Sequence, residues 1–460
     1  MDHHLASDLH QLDTILAQVR GLALDYLHTI DTRPPAAGYV PLAPLPLPDT
    51  GMGSAAGMRL FDERFGRHMP ASNGPRFWGF VTGGATPAAL AGDWLVSTYD
   101  LNLSAAANSI APDIEHEALA LLRALFGLPA DLHGIFVTGA TMANVTGLAI
   151  GREWLARQHG VSIAQQGLHA IPPVTVLSGA AHSSVGKALA MLGMGRSALQ
   201  PVPTLPESRE AVDIGALRRA LAELQGAPCI VVANAGTVNT VDFDDLRAIA
   251  ALKAEFSFWL HVDAAFGGFA ACSPRFAHLM AGADQADSLT IDAHKWLNVP
   301  YDAAMLFTRH RDLQVATFQN SAAYLGELTE PVDFVHLGPE NSRRLRALPV
   351  WLTLMAYGRA GYRDIVERNC AQARRLGALI DTSDAFDLLA PVHMNVVCFA
   401  PRRADKGAID AFLARLRDDG RVFLTPTVFH GRPAIRAALS NWRTEDSDVT
   451  LAWEAMCACV

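Results

Sequence analysis

Ser288-Leu289-Thr290-Ile291-Asp292-Ala293-His294-Lys295-Trp296 follows Phe258-Trp259-Leu260-His261-Val262-Asp263-Ala264-Ala265-Phe266-Gly267-Gly268, and this pair of stretches decides the fold. Each begins as a short apolar run, too brief for a helix, and reads as a strand buried on both faces. Similar runs occur at Gly134–Thr138, Val174–Ser178, Cys229–Ala233 and Ala304–Thr308. Between them lie helical stretches, Ile114–Phe126, Met142–Arg157, Ser183–Leu192, Ile214–Gln225 and Asp244–Glu255. Strands alternating with helices predict an α/β fold, a mostly parallel sheet covered by helices on both faces. Ligands bind such sheets at the carboxyl ends of the strands, where Thr138, Asp263 and Asp292 fall.

Residues Leu5 to Ile30 repeat apolar side chains at helical spacing, and a Pro-rich stretch from Pro34 to Pro48 follows. This predicts a helical arm on an extended linker, residues 1–84, whose apolar face needs a partner subunit to cover it. The large domain is placed at 85–345. A long helical stretch from Leu348 to Asn369, interrupted near Gly358–Gly361, opens a small α+β domain at 346–460 with strand-like pieces at Val396–Phe399 and Ile435–Leu439.

Of the 460 residues, 50% are hydrophobic and 18% charged, enough for a large core in more than one domain. The net charge of −9 is spread without long like-charge runs, which disfavours a nucleic-acid partner. The six cysteines form no CxxC pair and read as buried or free thiols of a reducing compartment. Neither a signal-peptide pattern nor an apolar run of about twenty residues is visible, so no membrane association and a cytoplasmic location are expected.

The chemistry lies in the ends of the runs. Lys295 sits at the end of an apolar strand beside Trp296 and Leu297, unlike an ordinary surface lysine. Its amine can form a Schiff base, and a carboxylate such as Asp263 can hold a pyridine nitrogen protonated. That pairing is what pyridoxal 5′-phosphate (PLP) requires. Asp263 followed by small residues fits a helix N-cap equally well. Gly139-Ala140-Thr141 turns a strand into a helix and offers backbone N–H groups and a hydroxyl to a phosphate, or simply a capped turn. His182 follows another strand and could stack on a pyridine face, though a lone histidine is more often structural. Thr237 could bond near the ring oxygen or the Asp263 carboxylate, or be a plain turn hydroxyl. His294 could donate to a phosphate oxygen. Asp292 lies close to that phosphate but would repel it, and is left out of the phosphate set. Gly51–Gly57 misses GxGxxG spacing, and neither a zinc HExxH motif nor a P-loop occurs.

The ordered set TGATMAN, AHSSV, HVDAAFGG and DSLTIDAHKW resembles the PLP-dependent amino-acid decarboxylases that act on aromatic amino acids, histidine, glutamate and 2,4-diaminobutyrate. The resemblance runs from about Phe77 to Asn441-Trp442-Arg443-Thr444. It implies an aspartate-aminotransferase-like fold (PLP fold type I) with a seven-stranded-type sheet, and a homodimer with shared active sites. It assigns Lys295 to the Schiff base, Asp263 to the ring nitrogen and His182 to one ring face. Ala265 falls to the other face, and Gly139, Ala140, Thr141 and His294 to the phosphate. The implied activity is decarboxylation of an L-amino acid to its amine, making the protein a lyase.

Two departures stand out. Where relatives carry a proton-delivering tyrosine on a loop, the matching residue is Phe334, which has no proton to give. His336 or Tyr324 could substitute. Without a donor the carbanion survives long enough to meet oxygen, as in the aldehyde synthases of the family; oxidative decarboxylation-deamination is therefore the alternative, with a PLP-dependent carbon–carbon lyase behind it. The expected substrate wall keeps one aromatic residue, Phe80, and replaces the second with Val81, which weakens the case for a large aromatic substrate.

Overall fold

The computed structural model describes residues 1–36, 38, 41–103, 109–320, 328 and 331–460. A seven-stranded sheet occupies the centre, built from β1 (His133–Val137), β2 (Thr175–Ser178), β3 (Leu199–Pro201), β4 (Cys229–Asn234), β5 (Trp259–Asp263), β6 (Ser288–Asp292) and β7 (Ala304–Thr308). The order is β1-β7-β6-β5-β4-β2-β3, and β7 runs antiparallel to both its neighbours. The other adjacent pairs are parallel. Strands β4 to β7 are buried along their whole length, which is why they read as unbroken apolar runs. The edge strand β3 was not expected; it has three residues and ends on a proline.

The Ala140–Gln158 helix lies across β5, β6 and β7, and its glycines decide how closely. A Cβ added at Gly147 would sit 2.7 Å from the His261 ring, and one at Gly151 2.7 Å from the Trp259 ring. Glycine at both sites lets the helix backbone rest directly on the strand side chains.

A smaller antiparallel sheet, order β10-β11-β9-β8, is formed by β8 (Phe386–Leu388), β9 (Val396–Pro401), β10 (Thr425–Phe429) and β11 (Arg432–Ala438). The Ala347–Asp381 helical segment links the two sheets and breaks at Gly358, whose φ of 56° and ψ of −164° are not helical. Trp78 is fully buried in the core of the small sheet, and its N–H donates to the Phe423 carbonyl at 2.9 Å. The segment preceding the large domain therefore packs on the small one, carrying Phe80 and Val81 with it.

The arm divides at Gln11 into helices His3–His10 and Leu12–His28, none of whose residues is buried. Leu5, Leu9, Leu12, Leu16 and Val19 are exposed. A further helix, Ser54–Arg64, occupies the expected linker. Among the described residues, no helix is long and apolar enough to cross a membrane.

Candidate active site

A cleft of about 440 Å³ opens at the carboxyl ends of β1, β4, β5 and β6, and Phe80, Val81 and Arg436 also line it. Such a volume suits a small-molecule site. Lys295, three residues beyond β6, lines it with its Nζ 4.0 Å from Asp292 Oδ2 and 5.6 Å from the centre of the Phe266 ring.

Asp292 is almost wholly buried. Its Oδ2 accepts the Ala140 N–H at 3.0 Å, and its Oδ1 accepts the His294 N–H at 3.2 Å. Burial pushes its pKa up, against the opposing pull of Lys295 and His294. One N–H of the expected phosphate cradle is thus already engaged. Thr141 and the turn at Gly139 remain beside it in the cleft wall. A Cβ at Gly139 would meet His294 Cε1 at 3.1 Å, so the turn passes close against that ring. His294 Nδ1 lies 3.1 Å from Asp292 Oδ1 and accepts the Ala303 N–H at 3.3 Å, while Tyr301 covers the ring at 4.3 Å between centroids. Burial lowers the His294 pKa, with Asp292 opposing.

Asp263, the last residue of β5, accepts at both carboxylate oxygens. Oδ2 takes the Asn144 side-chain amide at 2.9 Å and Oδ1 takes the Ala265 N–H at 3.2 Å. Ala265 and His182 also line the cleft. His182 caps the Ser183–Met191 helix through Nδ1, which accepts the Ser184 N–H at 3.2 Å. Its ring is open to the cleft, yet enough protein surrounds it that desolvation leads the lowering of its pKa.

Thr237 lines the cleft, but its hydroxyl donates to Glu210 Oε2 at 2.6 Å. Of the readings open for it, a bond to Asp263 is not made in this structure, and the hydroxyl serves the turn, accepting the Asp242 N–H at 3.0 Å; the buried Glu210 carboxylate also takes Thr240 at 2.7 Å and Asn239 at 3.0 Å. Phe80 reaches the cleft 60% exposed from a left-handed backbone, φ 57°. Phe334 and His336 do not line it. The Phe334 ring is buried between His116, 4.6 Å away, and the Arg343 guanidinium, 5.1 Å away. His336 is buried too, its Nδ1 accepting the Asn320 N–H at 3.1 Å. Tyr324 lies outside the described residues.

Sequence reasoning gave no role to Tyr301 and Arg436, which line the cleft, or to Asn144, which bonds Asp263 without lining it. Asn144 lay in a quoted motif without a role, and Tyr301 carries no motif; its hydroxyl lies 3.3 Å from that of Thr82. Arg436 comes from β11 in the small domain, so no local pattern announces it. It donates to the Val238 carbonyl at 2.6 Å, and its buried Nε has no partner among the described residues. An amine, an acceptor carboxylate, a helix N-terminus and the Arg436 guanidinium around one cleft fit PLP together with an anionic substrate.

The comparisons with known proteins agree. The model of the pyridoxal-dependent decarboxylase conserved domain matches residues 67–402. An aromatic-L-amino-acid decarboxylase of Bacillus atrophaeus is 28% identical over 390 residues, 82% of this chain and 79% of that protein. A 3,4-dihydroxyphenylacetaldehyde synthase of Drosophila melanogaster is 33% identical over 269 residues, 56% of this chain and 52% of that protein. The crystal structure of Oryza sativa TDC with PLP and tryptamine has the same fold, with a TM-score of 0.89 at 23% identity over 98% of this chain and 97% of that one. The chain therefore belongs to the pyridoxal-dependent decarboxylase family and is a PLP-dependent lyase of fold type I.

Proposed function

We propose that the protein removes the α-carboxylate of an L-amino acid as CO2 and releases the corresponding amine. The observation that carries this reading is the convergence of Lys295, Asp263 and Arg436 on one cleft from two sheets. Bound PLP supplies an electron sink for the reacting carbon. Lys295 is the amine that condenses with the cofactor aldehyde, and Asp263 is the acceptor for the ring nitrogen. His182 and Ala265 flank the ring faces. Gly139, Ala140, Thr141 and His294 surround the phosphate. Arg436, which lines the cleft from β11, pairs with a substrate carboxylate. Phe80, Val81 and Tyr301 shape the side-chain pocket. A screen of purified enzyme against L-amino acids, reading CO2 and amine, tests the proposal; if neither forms with any substrate, it fails. Lys295→Ala is expected to abolish turnover.

A second reading is oxidative decarboxylation-deamination, in which O2 and one water are consumed and the aldehyde, CO2, ammonia and hydrogen peroxide form. Its support is Phe334, buried and without an acidic proton. Peroxide and ammonia in step with CO2 would identify it.

We further propose a homodimer. The exposed leucines of the arm form an apolar face that a second copy of the chain would cover. Five buried cysteines, unpaired among the described residues, are the support for a reducing, cytoplasmic setting.

A further inference from the structure

The Asp263 carboxylate ends a chain of buried hydrogen bonds whose directions are all determined. Trp259, His261 and Asp263 alternate along β5 and so share one face. Asn144, Gly147 and Gly151 share the facing stripe of the Ala140–Gln158 helix, at spacings of i, i+3 and i+7. The two stripes mesh: Asn144 meets Asp263, Gly147 leaves room for His261, and Gly151 leaves room for Trp259.

Trp259 Nε1 can only donate, and it bonds Ser288 Oγ at 3.0 Å. Ser288 Oγ, 2.7 Å from His261 Nδ1, passes its own proton on. His261 Nε2, 3.0 Å from Asn144 Oδ1, must be the protonated nitrogen, because an amide oxygen only accepts. Asn144 Nδ2 then donates to Asp263 Oδ2 at 2.9 Å and to Ser184 Oγ at 3.1 Å. Flipping the amide would set its oxygen against the carboxylate with no proton between them. Ser184 Oγ, 2.7 Å from His182 Nδ1, completes a second branch in which that nitrogen accepts. Trp259, Ser288, His261 and Asn144 are all at 0% exposure, so water does not compete.

We infer that Asn144 and His261 are positioning residues for the cofactor's ring nitrogen: the Trp259–Ser288–His261–Asn144 chain holds Asp263 Oδ2 as a pure acceptor, and Asn144 ties this to the Nε2–H tautomer of His182. The branch makes one amide responsible for both the edge and one face of the pyridine ring. Burial keeps His261 neutral by drawing its pKa down to about 4, as the assigned tautomer requires.

The test compares PLP with its 1-deaza analogue, in which C–H replaces the ring nitrogen, by fluorescence titration of the apo-protein. Asn144→Leu is expected to weaken PLP about tenfold or more, the value of a hydrogen bond to a charged group. Its affinity for the deaza analogue should fall distinctly less, since that ligand makes no bond to Asp263 and senses Asn144 only through the His182 branch. Equal losses for both ligands would reduce Asn144 to a structural role and overturn the inference. Ser288→Ala, farther along the chain, guards against misfolding of the first variant and should show the same selectivity at smaller size. In the unsubstituted apo-protein, 15N-histidine NMR should find His261 protonated at Nε2 alone; a proton on Nδ1 would also overturn it.

Discussion

Asp292 Oδ2 accepts the backbone N–H of Ala140 at 3.0 Å, at the turn proposed above to hold the cofactor phosphate. A carboxylate therefore holds a position where an anion is expected to bind. Burial raises its pKa, so acidification neutralises it readily. The groups facing it are Lys295, His294 and the Ala140 N–H, with Tyr301 beyond His294. PLP affinity should therefore fall as pH rises and Asp292 ionises. Asp292→Asn should flatten that dependence and bind PLP about three- to tenfold tighter near about pH 8. Fluorescence titration of the apo-protein across pH checks both outcomes.

Glu115 and Arg343 form an ion pair at 3.0 Å with both side chains essentially inaccessible. Glu115 Oε1 also accepts the Phe136 N–H at 3.1 Å, and Arg343 donates to the Phe136 carbonyl at 2.5 Å. Glu115→Ala strands a buried guanidinium and should cost about 3–5 kcal/mol in denaturant unfolding. Replacing both partners by apolar residues should recover much of that loss.

Gly147→Ala sets helix propensity against packing. Propensity favours alanine by about 1 kcal/mol. The new Cβ, 2.7 Å from buried His261, opposes it and should leave a net loss of about 1–3 kcal/mol. Gly186, in the Ser183–Met191 helix with nothing within 4 Å of an added Cβ, is the control. Gly186→Ala should be neutral or stabilising by about 0.5–1 kcal/mol.

His261 has its pKa lowered from 6.5 to about 4 by burial. The unfolded chain binds this proton more readily than the folded one. Its contribution to stability is thus complete above about pH 6.5 and lost as pH falls toward about 4. Asp244, raised by burial to about 6, gives an opposite slope in an overlapping window. The difference between parent and His261→Asn unfolding curves isolates the histidine, and the variant should lose less stability on acidification.

The central strands were legible because burial on both faces leaves no polar alternation to confuse the reading, and their ends marked Lys295, Asp263 and His182. Strand β3 was not, being three residues long with a terminal proline. Thr237 shows the limit at a single side chain: a turn hydroxyl was plain, but its acceptor, Glu210, lies 27 positions away. Phe334 and His336 could be matched to a loop, yet their burial depends on His116, Arg343 and Asn320, which no local pattern ties to them.

The amino-acid sequence by itself determined the strand–helix alternation, the chemistry at the strand ends and, through motif order, the cofactor. Those properties are local, carried by apolar runs and by residue types within a few positions of each other. Only the tertiary structure decided how the groups are wired. The Asn144–His261 bond spans 117 positions, and Arg436 enters the cleft from a different sheet. The physical reason is that a hydrogen bond's direction and a side chain's burial are set by neighbours brought together on folding, and the chain order of those neighbours leaves no mark in the local pattern.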